Sequence, residues 1–471
     1  RYEFVDLTQL PAKAQKRLTK KLAAKGIPPT HLHLQTQGQR TEKRIFPGAV
    51  LAYKGKEAGV LLLKGNKMLS PAQMVNQSME GLEYELASTL AQVIRTTRPK
   101  VALLRGHGEP ALARLQGLTT VLKEHYALHL LDFSATSTLS DYDALLITKP
   151  QKCFSEAEKY LLDQYLMQGG RLLLFLDCMR IDMEHLRQQK AFALPLDLGL
   201  EAQLFRYGIR LNPDLVQDLQ CGVYPIVVGR LGNQPQVQLL PWPFSPLLNQ
   251  FSSHVVTKNM DVLTTQFVSS LDAIQTPGIQ HIPLIFTSQY TRRLGTPVYV
   301  DLEGLRKPPQ PAQYRQQHLP VAYLLAGKFT SLYKYRFLPE GVNATHFQPE
   351  SVPTQLLVVA SGSFVMNDLA PKSKKPLPWG YDPFLKRQFA NPDFVLNALA
   401  YMLNEGGLIN LKNKSLKIRL LDQVKVTQQR LQWQLLNLLL PLVLLALLGL
   451  GWNYWAAGCT GCKRLNRMLI K

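Results

Sequence analysis

Residues 144–177 read ALLITKPQKCFSEAEKYLLDQYLMQGGRLLLFLD, and the fold turns on them. Ala144–Thr148 is a short apolar run of strand length. Ser155 is placed to cap a helix that continues to Gln168, and Gly169-Gly170 stops it. Arg171–Asp177 is a second apolar run ending in an acid. Apolar strands without alternation, separated by helices, are parallel strands buried on both faces.

The same pattern extends outward. Lys100–Arg105 and Leu128–Asp132 read as strands with a helix over Pro110–Glu124 between them. Later apolar runs at Ile282–Thr287, Val321–Leu325 and Leu356–Ala360 read as the sheet resuming, closed by a helix over Asp393–Leu403. Residues 205–275 are richer in Pro, Gln and Asn and read as an insertion of extended strands and loops. The expectation is α/β with a Rossmann-like parallel sheet over residues 100–404.

Residues 1–66 read as a small α/β domain. It has a strand at Tyr2–Leu7, a helix at Ala12–Lys25, a strand at His31–Gln35 and a hairpin. The hairpin, Ala49–Tyr53 and Gly59–Leu63, turns through Lys54-Gly55-Lys56. Arg1–Leu7 starts abruptly, as a chain entered inside a domain would, with an export signal or anchor upstream. Residues 67–99 connect the two domains through an amphipathic helix at 71–96. Its Val75, Met79, Leu82, Leu86, Leu90 and Val93 recur at three- and four-residue steps and read as core packing.

The 471 residues carry 54 Lys+Arg against 33 Asp+Glu, a formal charge of +21. That surplus is terminal: nine in residues 1–66, eight in residues 405–471, and only four in the long centre. A near-neutral body offers no polyanion-binding face, which argues against nucleic acid. No charged residue occurs from Leu431 to Cys462. A helix over 433–455 is about 34 Å long, enough to cross a bilayer, with Trp433 at one end and Trp452, Tyr454 and Trp455 at the other. A basic linker at 405–432 precedes it and a tail at 456–471 follows. The flanking basic charge reads as membrane-proximal, favoured by anionic lipid.

The search for chemistry returns little. Ala326-Gly327-Lys328-Phe329-Thr330 lacks the glycine and hydroxyl spacing of a phosphate loop, and no GxGxxG follows a strand. Ser361-Gly362-Ser363 is not a nucleophile elbow. His31 and His33 share a strand face without a third ligand, and Cys459 and Cys462 are a single pair, so neither reads as a metal site. No cofactor is implied. What remains is Gly106-His107-Gly108-Glu109 after the first parallel strand and Asp177 after another. Ligands bind beyond the carboxyl ends of parallel strands, so His107, Glu109 and Asp177 are the candidate ligand-binding residues. Cys178 has no general base placed beside it.

The chain resembles the GldG family, the gliding-motility-associated ABC transporter auxiliary subunits of substrate-binding type. The strings that carry the resemblance are Arg44–Leu63 (RIFPGAVLAYKGKEAGVLLL), Glu80–Leu86 (EGLEYEL), Gly106–Glu109, Asn212–Cys221 (NPDLVQDLQC), Gly232–Trp242 (GNQPQVQLLPW), Phe267–Ile279 (FVSSLDAIQTPGI), Asn391–Leu403 (NPDFVLNALAYML) and Leu416–Val424 (LKIRLLDQV). The resemblance implies a class I glutamine-amidotransferase-like fold without its catalytic set and membrane segments at both ends. It also implies a body in the periplasm, held at the bacterial inner membrane, with a separate permease and a separate ATPase as partners. The missing phosphate loop fits that division of labour. The family's acidic residues near Gly327 and Ser361–Ser363 are replaced here by Ala326, Lys328 and the serines. On this reading the chain is no enzyme. The rival is an envelope hydrolase of the same fold acting through Cys178 or His107.

Overall fold

The structure is a computed structural model. It describes residues 2–452 except 37–38, 65–70, 137, 182–189, 232–233, 308, 343–344, 371–372, 404–406 and 414–430. Two compact units divide the chain, Arg1–Leu416 and Lys417–Lys471.

The first unit is built on an eight-stranded mixed sheet. Its strands are β5 (Lys100–Arg105), β6 (Ala127–Asp132), β7 (Ala144–Thr148), β8 (Arg171–Phe175), β9 (Gln250–Phe251), β10 (Ile279–Phe286), β11 (Pro320–Gly327) and β12 (Thr354–Val359). The spatial order is β9-β10-β11-β12-β8-β7-β5-β6. From β12 to β6 all pairs are parallel. From β12 to β9 all are antiparallel. The runs at Ile282–Thr287 and Val321–Leu325 therefore join the sheet as expected but reverse its direction. An apolar run buried on both faces looks alike whichever way its neighbour runs, so the reversal has no sequence mark.

Alternate residues feed two cores, one on each face. Val101, Leu103, Leu146, Leu173, Phe175 and Leu357 pack with α3 (Gln116–His125) and α6 (Asn391–Met402). Ala102, Leu104, Leu145, Ile147, Leu174 and Val358 pack with α4 (Glu156–Met167). At the start of α4, Ser155 and Glu158 cap each other's backbone reciprocally. Gly170 ends that turn under the Tyr165 ring, where a Cβ would collide with the ring. The helix expected from Pro110 begins at Gln116, after a single turn at Leu112–Arg114. The insertion holds a long antiparallel hairpin, Cys221–Leu231 with Gln234–Leu248, and its Trp242, Phe244 and Phe267 form a small core with Met179, Ala191, Val298 and Val300 from outside it.

Near the N-terminus, α1 (Ala12–Ala24), β1 (Thr30–Thr36), β2 (Gln39–Ile45), β3 (Gly48–Tyr53) and β4 (Lys56–Leu61) follow one another. The β3–β4 hairpin closes Tyr53 against Lys56, with Lys54 and Gly55 both at positive φ. This is the two-residue turn that matches strand twist. Tyr2–Asp6 is not a strand, having no ladder partner, and a 3₁₀ turn at Leu7–Gln9 follows.

The connecting helix, α2 (Pro71–Ile94), inverts the expectation drawn from its apolar stripe. Val75, Met79, Leu82, Leu86 and Leu90 of that stripe, and the neighbouring Ile94, are 37–48% exposed, while Val93, its last position, is buried as expected. The face turned inward carries Ser78, Tyr84, Thr89 and Val93. Ser78 bonds the Lys64 and Met74 carbonyls, and Glu85 pairs with the Lys64 ammonium at 3.2 Å. Lys64 also reaches Asp393 on α6 at 2.9 Å. Periodicity fixes which residues share a face, not which face is covered.

The second unit has one described element, α7 (Leu431–Trp452). It is long and apolar enough to cross a membrane, with mean hydropathy 2.3 and none of its apolar window buried. The helix expected over 433–455 is thus present up to Trp452. Cys459 and Cys462 lie outside the described residues.

Candidate functional site

The sheet order β6-β5-β7-β8 reverses between β5 and β7, so the ligand crevice of an open α/β sheet belongs at their carboxyl ends. Gly106 and Gly108 both take positive φ there, which glycine alone adopts freely. The turn is closed internally. Glu109 Oε2 accepts from the Gly106 and His107 amides at 3.0 Å each. The His107 carbonyl accepts from the Gln151 and Lys152 amides, stitching the β5 turn to the β7 turn. The His107 imidazole stacks on Phe154 with centroids 3.9 Å apart. Its Nε2 lies 3.2 Å from Glu158 Oε2, and its Nδ1 lies 4.0 Å from Glu109 Oε1. Burial works against ionised Glu158, but hydrogen bonds from Ser155 and His107 outweigh it and hold the carboxyl below its ordinary value. His107 and Glu109 are both buried and fill this corner themselves.

Asp177 lies elsewhere in the sheet rim. Its Oδ1 accepts from the Gly362 amide at 2.5 Å, and its Oδ2 lies 2.6 Å from Lys149 Nζ. One carboxylate thereby ties together the ends of β7, β8 and β12. Gly362 is needed at this crossing, since a Cβ there would come within 2.5 Å of the Lys149 Cβ. Beside it, the Thr265 hydroxyl donates to Ser361 Oγ, Ser361 and Ser363 share a hydroxyl hydrogen bond, and both serines reach the Gln266 carbonyl.

Asp177 also borders the groove that does open at the strand ends, with a volume of about 770 Å³. That is within the range of ligand pockets. Its walls come from α5 (Glu201–Arg206), the segment 210–213, the turn 274–277 and the chain at Leu332 and Arg336. Leucines dominate the lining, and Arg206, Arg210 and Arg336 stand around it. Of the three residues expected to converge, the structure brings Asp177 to the groove and keeps His107 and Glu109 in their separate corner. Sequence reasoning missed the three arginines, which lie up to 130 positions apart and meet only through the fold.

Both walls hang from one buried group. Asp163, in the middle of α4, is wholly buried. It accepts from Tyr207 Oη at 2.8 Å, just past α5. It also accepts from Ser331 Oγ at 2.6 Å and the Leu332 amide at 3.0 Å on the opposite wall, and from Gln164 Nε2 at 2.9 Å.

Cys178 lines the groove too. Burial first, then the nearby carboxylates of Asp214, Glu201 and Asp177, push its thiol up to about 12. At neutral pH it is therefore protonated, and no histidine lines the groove among the described residues. Alkylation of Cys178 by iodoacetamide, read by peptide mass spectrometry, is expected to run roughly a thousandfold slower at pH 7.5 than for a free thiol. It should go on rising about tenfold per pH unit beyond pH 9. A plateau reached by pH 9 would contradict the assignment. Among the described residues no three His, Cys, Asp or Glu side chains converge as metal ligands.

Comparison with known proteins places this geometry in context. The family model described as an ABC-type uncharacterized transport system, of the ABC transporter auxiliary group, matches residues 98–398, the sheet and its insertion together. No curated protein matches the chain. Among solved structures, the mmIFT52 N-terminal domain is similar at 13% identity and a TM-score of 0.34, covering 65% of this chain and 97% of its own. A putative ThuA-like protein from Parabacteroides merdae is similar at 8% identity and a TM-score of 0.30, covering 66% of this chain and 91% of its own.

Proposed function

The chain belongs to the ABC transporter auxiliary family, and from that premise we propose that it is a non-enzymatic, membrane-anchored periplasmic subunit of an ABC-type complex serving gliding motility or surface export. Membership makes it an auxiliary component of a transport system that works with other transporter components. The finer reading names those components as a permease in the membrane and an ATPase beyond it. Its support is the run of GldG-like strings from Arg44 to Val424 together with the absence of any phosphate loop.

The observation that carries the reading is the outward apolar stripe of α2. Six large side chains along one 24-residue helix are left 37–48% exposed while Ser78, Tyr84, Thr89 and Val93 face the core. Half-burying them against a partner is worth on the order of 5 kcal/mol. A subunit that works alone has no reason to keep such a stripe in water. The helix also carries Glu80, Glu83 and Glu85 and no Lys or Arg. Glu85 is taken up by Lys64 on the inward side and Glu80 by Asn259, which leaves the apolar stripe itself as the surface a partner helix would cover. The α7 helix supplies the anchor.

A binding role fits the groove as well. Its thiol is protonated, its lining lacks a histidine among the described residues, and the strand-end corner where a catalytic set would sit is filled by His107, Phe154 and Glu158. The test is purification of the full chain from detergent-solubilised membranes, with the proteins that accompany it identified. Recovery of a permease or ATPase subunit is expected, and recovery of the chain alone would sink the proposal.

A further inference from the structure

Three cationic side chains surround the groove against two carboxylates, Asp177 and Glu201. Among the described residues, Arg206, Arg210 and Arg336 enter no ion pair. The Arg206 guanidinium instead lies 5.9 Å over the Tyr335 ring. The acids offset them only in part, leaving the arginines in excess. Asp177 is taken up by Lys149 and the Gly362 amide, and Glu201 sits at the exposed start of α5. Lys334, next to Tyr335, is already paired with Glu350.

The apolar side is equally unsatisfied. Phe205 on the groove wall is 54% exposed, and Tyr335 and Phe337 beside Arg336 are 79% and 100% exposed. Arginine, aromatic and leucine side chains around one concavity make up the composition of interface hot spots, where an anchor is buried and a guanidinium grips a carboxylate in two places.

The distribution of charge chooses between ligand classes. Arg206 ends α5, Arg210 lies in the strand Ile209–Leu211, and Arg336 belongs to a loop more than 120 residues further on. A fatty-acid anion has one head and needs one cationic end with an enclosed apolar tube. Here the positive charges come from three elements around an open groove with leucines between them. That layout suits a chain carrying several carboxylates alternating with apolar side chains.

We propose that the groove bordered by Arg206, Arg210, Arg336 and Phe205 binds an acidic peptide segment with apolar anchors, supplied by a cargo or partner protein. The assignment takes the groove as a binding site of the proposed auxiliary subunit, and it concerns a surface separate from α2.

Fluorescence anisotropy on the full chain in detergent tests it. The probes are a fluorescein-labelled octapeptide of alternating Glu and Leu, the same peptide with Lys for Glu, the same with Ser for Leu, and oleate as competitor. The Glu/Leu peptide is expected to bind, with affinity falling as salt is added. The Lys and Ser versions should bind at least roughly tenfold more weakly, and Arg336→Glu or Arg210→Glu should weaken the Glu/Leu peptide at least roughly tenfold. Both arginines are exposed, so these variants keep the fold, and Arg336→Lys should recover part of the binding. Failure of the Glu/Leu peptide to bind, binding indifferent to both arginine variants, or oleate binding in its place would each overturn the proposal. None of these outcomes touches recovery of transporter subunits with the full chain, so the two readings fail separately.

Discussion

Asp163→Ala is expected to lower the stability of the first unit by about 3–5 kcal/mol. The carboxylate is wholly buried and receives four hydrogen bonds, from Tyr207, Ser331, Leu332 and Gln164. Alanine removes every acceptor at once. The Tyr207 hydroxyl is itself deeply buried, and burial pushes its own ionisation well above the ordinary tyrosine value, so it cannot escape to water. The Leu332 amide is left without a partner in the same place. Asp163→Asn keeps one acceptor oxygen but turns an amide NH₂ toward the Gln164 amide, a donor facing a donor. About 1–3 kcal/mol is expected for that variant. Urea unfolding of the full chain in detergent measures both. A loss below about 1 kcal/mol for the alanine variant would show that the network is not what joins the groove walls.

The second large effect concerns α7. Its 22 residues span roughly 33 Å, carry no charge, and expose leucine after leucine at 48–70% of their surface. Ending the chain at Asn413 is expected to move it almost entirely from the membrane fraction to the supernatant after a carbonate wash, while the full chain stays in the pellet. The wash matters because the α2 stripe can hold the truncated chain on a partner under milder conditions. A full chain that washes off with carbonate would remove the anchor from the account.

How far these features could be read in the residues depends on what kind of information they needed. Local signals were sufficient for the βαβ run at 144–177. Ser155 placed the start of α4, Gly169-Gly170 placed its end, and the β5, β7 and β8 runs were continuous enough to require cover on both faces. Strand direction was beyond reach, because the β10 and β11 sequences look the same parallel or antiparallel. The α2 stripe had its period right and its environment reversed at every position but Val93. Only the placement of Ser78, Tyr84 and Glu85 against Lys64 and the core shows which side is inward.

The site was legible in part for the same reason. Gly106 and Gly108 announce a turn at a strand end, and Asp177 ends a strand, but nothing in the chain says that Phe154 and Glu158 close over His107. The three arginines are separated by long stretches of sequence and share no motif. Asp163 reads as an ordinary polar position on an amphipathic helix until Tyr207 and Ser331 arrive from distant segments. Long-range contacts of this kind are set by topology, and topology is what periodicity does not carry.

The central claim is that this chain binds transporter subunits through α2. It is tested most directly by purifying the full chain from detergent-solubilised membranes alongside the Leu82→Lys/Leu86→Lys variant. Both leucines are exposed, so the variant is expected to fold with unchanged unfolding behaviour. The account predicts that the unaltered chain brings down a permease or ATPase subunit and that the variant loses at least nine-tenths of it. Equal recovery with both chains, or no transporter subunit with either, would contradict it.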